Sequence, residues 1–270
     1  MATRILHQQS NEEYHADLAL GSSYIKDWNN RSPRHAEYGE KTINPYIADE
    51  GTAAHLIFEG NPDKVVQAGE TRRGQSWADA LGKAQSIGGV ALPRKAYENA
   101  IAAGISAYNH GFMRTLRDQA GYDGEWSWVE TSIFTTHPKT GLEIKCKPDF
   151  YLSKRGLLVD LKTTVSASPR DFTRAIFKMG YDLQAAYYRL VCRIAGLNVA
   201  DEFHFIAVEK TAPYVTQHFV LEGDVLSAAE LRVEQILLEI AHSRETGEFS
   251  TGWPEVSKIN LSTRENFYGS

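Results

Sequence analysis

Ten residues separate Asp149 from the run Asp160-Leu161-Lys162. Two carboxylates and an ammonium at this spacing can hold a hard divalent cation and offset negative charge growing on a phosphate. Cutting a phosphodiester needs that arrangement. Over residues 142–150, Leu142, Ile144, Cys146, Pro148 and Phe150 fall on one face of a strand, and Lys145, Lys147 and Asp149 on the other. Over 156–163 the same two-residue period sets Asp160 and Lys162 on one side. Lys154-Arg155-Gly156 between the segments reads as a tight hairpin turn, which brings Asp149 beside Asp160. A solvated hairpin face would carry similar charges. Against it stand Val159 and Leu161, whose flanking of Asp160 suggests burial, and a buried carboxylate needs a partner such as a metal ion.

Four further residues are candidates for the same site. His55 follows Gly51, Ala53 and Ala54, small residues that let another element approach closely, so the imidazole can reach the carboxylates. It suits manganese better than magnesium. Glu130, on the strand before Asp149, is either another carboxylate of the site or a cross-strand partner of Lys145 or Lys147. Gln184 and Tyr188 lie one helical turn apart. Gln184 is a candidate to position a water or contact the scissile backbone, and the tyrosine is open to a packing role. Arg170, Arg174 and Lys178 recur every four residues, as a phosphate track or as a solvated face. Arg72-Arg73-Gly74 is a second candidate backbone contact.

The elements that must carry these groups form a mixed α/β order. Residues 1–120 read as mainly helical. Ser22 and Ser23 are expected to cap a helix through Trp28, and 48–58 is a second helix. Residues 63–93 read as a loop-rich excursion, and 94–119 as one long helix. Strands are expected over 125–136, 142–152 and 156–163. Ser168-Pro169 starts a helix, and Asp182 caps the next after Gly180. Strands over 202–209 and 214–221 follow, then a helix over 223–246 with Leu226, Leu231, Ile236, Leu237 and Ile240 inside. One domain of 270 residues is expected, its α/β core at 121–246 and a polar tail at 247–270.

Composition fits this picture. Hydrophobic residues make up 42% and charged residues 23%, an ordinary globular balance. The net charge of -5 disfavours a diffuse nucleic-acid binder but allows positive charge concentrated in one groove. Cys146 and Cys192 read as buried free thiols, which fits a reducing cytoplasm. No apolar run is long enough for a membrane span, and Met1–Ser10 lacks the apolar core of a signal peptide, so a soluble cytoplasmic protein is expected. An α/β-hydrolase is disfavoured, because Gly104-Ile105-Ser106-Ala107-Tyr108 lacks the second glycine of a nucleophile elbow.

Taken in order, Ser22-Ser23, Ser32-Pro33, Gly51-Thr52-Ala53-Ala54-His55, Arg72-Arg73-Gly74, Glu130, Lys147-Pro148-Asp149, Asp160-Leu161-Lys162-Thr163 and Gln184-Ala185-Ala186-Tyr187-Tyr188 resemble the PD-(D/E)xK nuclease superfamily. Within it the chain is similar to RecE-type exonucleases of phages and prophages, from about residue 15 to residue 220. The resemblance implies a restriction-endonuclease-like core, a mixed sheet flanked by helices. It implies resection of linear double-stranded DNA from the 5′ end, with Mg²⁺ (or Mn²⁺) held by His55, Asp149, Asp160 and the Leu161 carbonyl. Lys162 would orient or activate water, with Glu130 and Gln184 assisting. It also implies a homo-oligomeric ring around DNA and a single-strand annealing partner of the RecT/Bet kind. Rival expectations are a repair endonuclease with the same core and a non-enzymatic module that binds DNA ends.

Overall fold

The central strand of the molecule is built from residues 157–164, whose alternation lets it serve two cores at once. The computed structural model describes residues 3–7, 9–40, 45–122 and 128–257. In chain order the elements are β1 (Arg4–Leu6), α1 (Asn11–Ala16), α2 (Ser22–Asn30), α3 (Pro33–Tyr38), α4 (Pro45–Phe58), β2 (Val65–Gln67), α5 (Gly74–Ser86), β3 (Val90–Leu92), α6 (Arg94–Tyr108) and α7 (Gly111–Tyr122). Then come β4 (Trp128–Val129), β5 (Ser132–Thr136), β6 (Glu143–Cys146), β7 (Phe150–Leu152), β8 (Leu157–Thr164), α8 (Pro169–Lys178), α9 (Tyr181–Ile194), β9 (Phe203–Glu209), β10 (Thr216–Leu221) and α10 (Gly223–Thr246).

The main sheet is mixed and runs β10-β9-β8-β7-β4. Only the β8–β9 pair is parallel within it. A second sheet runs β1-β5-β6, and β2 and β3 form a separate parallel pair. Leu158 joins the larger core, where the sheet meets α2, α8, α9 and α10. Leu157, Val159 and Leu161 join the core on the opposite face, with Phe58 of α4, Ala103 of α6 and Met113 of α7. Each side chain of this size, once buried, stabilises the fold by about 1.5–3 kcal/mol. The same alternation puts Asp160 and Lys162 on the Leu158 side, toward α9.

Several elements differ from the sequence-based expectations. The expected strands over 125–136 and 142–152 each break in two. Glu130, at φ 49°, separates β4 from β5, and Lys147-Pro148-Asp149 separates β6 from β7. The two breaks lie side by side, because the Glu130 amide donates to the Asp149 carbonyl at 3.2 Å. One antiparallel ribbon thus bends and passes from the small sheet to the large one. The start of the expected strand at 125–127 and the tail beyond 257 lie outside the described residues.

The excursion at 63–93 is not loop-rich: it holds β2, β3 and the 13-residue α5. Ala80 and Ala84, four apart, give α5 its buried stripe. The expected helix over 94–119 is two helices, parted at Asn109-His110. Gly21, not Ser22 or Ser23, is the N-cap of α2, and Gly180, not Asp182, that of α9. Leu231 is 74% exposed rather than inside α10. Ser168 caps α8 as expected, with Pro169 in the first turn. Both cysteines are buried and free. Among the described residues no helix is long and apolar enough to cross a membrane.

Candidate active site

The turn after β7 is as tight as the sequence implies. Gly156 has φ 68°, and a Cβ there would lie 2.7 Å from the Val199 amide nitrogen, so only glycine fits. The turn fixes a register in which Phe150 pairs with Val159. Asp149 and Asp160 are therefore adjacent, one position beyond that pair. The Leu161 amide donates to Asp149 Oδ2 at 2.6 Å. Leu161 thus meets the site through its backbone, while its side chain packs in the core. Asp149 and Asp160 are only 5% and 2% exposed.

Lys162 forms an ion pair with Asp160 Oδ2. Gln184, one turn into α9, donates Nε2 to Asp160 Oδ1 at 2.8 Å. On the other side α4 brings in His55, whose Nδ1 is 3.2 Å from Asp149 Oδ2. The small residues before His55 allow this approach. Ala53 and Ala54 are buried, and a Cβ on Gly51 would already touch Thr163 of β8 at 3.7 Å. Asp149, Asp160, Lys162, Gln184 and His55 thus form one connected cluster.

Glu59 is the residue that sequence reasoning missed. It lies four residues after His55, so the α-helical turn sets it on the same side, 3.9 Å from His55 Nδ1. That spacing was the available signal. Glu130 pairs with Lys147, one of its two expected partners, and both line a cleft of about 690 Å³. Gly51, His55, Glu59 and Tyr188 line the same cleft, and Asn11, Tyr14 and His15 of α1 form another wall. Lys147 also donates to Asn11 Oδ1 at 2.7 Å, and Lys145 to the Asp17 carbonyl at 2.8 Å, so both lysines hold α1 in place.

Charge is crowded here. Burial, then Glu130 and Asp149, push Glu59 up to about 8. Burial and Asp149 push Glu130 up to about 7. Burial also raises Asp160, more than the Lys162 ammonium lowers it. Burial opposes charge on His55, yet Asp149 and Glu59 outweigh it and hold the imidazole up to about 9. Asp149 stays below the ordinary carboxylate range: His55, Lys162 and the Leu161 amide overcome its burial. Carboxylates that retain protons near neutrality lack positive charge, which a divalent cation would supply.

The donor set fits such an ion. One ligand atom each from His55, Glu59 and Asp149 lie within 4.8 Å of one another. An imidazole nitrogen with two carboxylates suits manganese, and oxygen-rich surroundings suit magnesium. Of the four ligands expected from the resemblance, His55 and Asp149 belong to this set, and Asp160 is engaged by Lys162 and Gln184.

Of the candidate nucleic-acid residues, one lines the cleft. Tyr188 is buried and lines the cleft. Arg72 pairs with Asp49 at 2.5 Å and sits 5.1 Å from the Trp77 ring centroid. Arg73 is exposed just before α5, and Arg170, Arg174 and Lys178 are exposed on α8. None of these five cations is among the residues lining the cleft.

Solved structures of other proteins resemble the chain to different degrees. A candidate exonuclease of Eubacterium rectale is similar over 97% of this chain and 98% of its own, at 16% identity and a TM-score of 0.57. A phage-related exonuclease of Haemophilus somnus matches 85% of this chain and 97% of its own, at 13% identity and a TM-score of 0.34. For the alkaline exonuclease of Laribacter hongkongensis the figures are 74%, 93%, 14% and 0.27. At these identities likeness speaks to fold alone, and only the first is near enough in shape to do so. No curated protein matches. The PDDEXK-like domain of unknown function, DUF3799, matches residues 51–254, a stretch that holds every acidic and basic residue of the cluster. The chain belongs to this PDDEXK-like family.

Proposed function

We propose that the protein is a metal-dependent exodeoxyribonuclease that digests linear double-stranded DNA from 5′ to 3′. The observation that carries this reading is the convergence of Asp149, Asp160 and Lys162 beside His55 and Glu59. Membership of the PDDEXK-like family and the exonuclease names of the structural neighbours support it. The 3′ overhangs produced would serve single-strand annealing recombination, with an annealing protein as partner and a ring of identical subunits around the duplex. In such a ring only the channel must be positive, which reconciles the net charge of -5 with DNA binding.

His55, Glu59 and Asp149 would hold the ion, with Asp160 as a further ligand once it parts from Lys162. A bound Mg²⁺ or Mn²⁺ supplies Lewis acidity and lowers the pKa of water. The rest of the chemistry belongs to side chains. Gln184 fixes the Asp160 carboxylate through one oxygen. Lys162 places an ammonium where negative charge grows on the phosphate, an interaction stronger in the transition state than in the ground state. Glu130, near 7, can take the attacking water's proton on a carboxylate oxygen. The water oxygen bonds to phosphorus, the bond to the 3′ oxygen breaks, and the released nucleotide keeps its 5′-phosphate.

The test is digestion of linear duplex labelled at either the 5′ or the 3′ end, with Mg²⁺ and with EDTA. Early release of the 5′ label and its loss in EDTA are expected. Early release of the 3′ label would reverse the polarity, and activity that survives EDTA would remove the metal.

A further inference from the structure

Helix α2 sends a lysine into this site from the N-terminal portion of the chain. Ile25 and Trp28 anchor α2 in the main core. Lys26 places its Nζ 3.4 Å from Gln184 Oε1 and 5.8 Å from the Tyr181 ring centroid. Lys162 Nζ is 4.7 Å from that same ring centroid. The hydrogen bonds therefore run in series: Lys26 to Gln184, Gln184 to Asp160, with Lys162 on the second oxygen of Asp160.

A carboxamide has a donor end and an acceptor end of nearly equal shape. In the orientation seen, Nε2 faces the carboxylate and Oε1 faces the ammonium. Turned over, it would set oxygen against Asp160 and an NH₂ group against Lys26. A buried amide gains most when both ends are satisfied, and Lys26 satisfies the end that Asp160 does not. Placing a cation there is costly, since burial and the Lys162 charge draw Lys26 down to about 8. Packing alone would be served better by an apolar side chain.

We propose that Lys26 is a positioning residue of the site, locking the Gln184 amide and through it the Asp160 carboxylate. In that role it acts through Gln184 rather than on the ion or the substrate. The proposal rests on the nuclease reading of the site, and the experiment separates the two. Lys26→Met, Lys26→Ala, Lys26→Arg and Lys162→Ala are prepared in the full chain. Digestion of linear duplex is followed with Mg²⁺, and each variant's melting temperature is recorded.

Lys26→Met should lower kcat by about tenfold or more with KM within about twofold, because the lost interaction serves the reaction rather than binding. Lys26→Arg, which restores a donor, should recover most of kcat. Lys26→Ala is judged by the same criteria if Lys26→Met does not fold. Unchanged kcat in Lys26→Met, a loss carried by KM alone, or failure of arginine to rescue a well-folded variant would overturn the proposal. Lys162→Ala should be inactive. Full activity in it would remove the nuclease reading itself, and the role of Lys26 with it.

Discussion

At the scale of single residues, the site is a balance of buried charges, and its members can be tested one at a time. Asp160→Ala and Lys162→Ala should each lower digestion by about 10³-fold or more with the fold retained, as measured by endpoint assay and circular dichroism. Full activity in either folded variant would contradict the assignment. Glu59→Gln should act in two directions. It removes a carboxylate held up at about 8 by burial and by like charges, so the metal-free protein should melt at a higher temperature. It also removes a ligand, so Mn²⁺ affinity by calorimetry should fall about 10–100-fold.

Proton linkage gives a companion test. Between the ordinary glutamate value of 4.5 and about 8, an unfolded Glu59 is ionised while the folded one keeps its proton. The folded state then binds more protons, so stability of the metal-free protein falls as pH rises through this window. His55 acts in the same sense: its raised pKa favours the fold below 6.5, and that support is lost as pH rises through about 9. Added Mn²⁺ takes the place of these protons. The melting-temperature gain on adding it should therefore grow from pH 6 to pH 8, as seen by thermal shift. Asp149, Asp160 and Lys162 were legible in the sequence because a two-residue period sorts strand faces without knowledge of the fold. Lys26 was not, because its partner Gln184 is 158 positions away.

At the scale of elements, α4 is the part that must be placed most accurately, since it carries His55 and Glu59. It packs on α6 at Gly104, where a Cβ would stand 2.4 Å from Ile57 Cβ and 2.9 Å from the Ala54 carbonyl oxygen. Gly104→Ala should therefore push α4 outward, at a cost of about 1–3 kcal/mol measured by urea unfolding, and weaken Mn²⁺ binding. An unchanged midpoint would show that α4 accommodates the methyl. The strand at 157–164, the turn at Gly156 and α10 were legible because each has a strong period or a clear punctuating residue. The bend at Glu130 and Lys147-Pro148-Asp149 was not. Each half of the ribbon keeps the alternation of a single strand, and only pairing of the two halves with different sheets reveals the break. Glu130 sits at φ 49° without being glycine, a conformation that costs on the order of 1–2 kcal/mol. The bend sets Glu130 on the cleft wall and Asp149 against His55, which lines the same cleft. Helix α5 was illegible for another reason: its buried stripe is alanine, too weakly hydrophobic to stand out among glycine and charge.

At the scale of the whole molecule, the N-terminal portion contributes side chains to the candidate site. It supplies His55 and Glu59 from α4, the wall formed by α1, and Lys26 from α2. An exonuclease needs an end, so a closed circular duplex should survive conditions that consume the same DNA once linearised. Equal loss of both forms, by gel, would favour an endonuclease. The ring proposal predicts a stable oligomer by light scattering, and a monomer at working concentration would remove it. The central claim is that the carboxylates at 149 and 160 and the imidazole at 55 share one ion, with the ammonium at 162 beside it. Its most direct test is the anomalous difference map of a crystal soaked in Mn²⁺. A peak in contact with Asp149 and His55 is the predicted result. A map with no peak there, or with Mn²⁺ bound elsewhere and this cluster unchanged, would contradict the account.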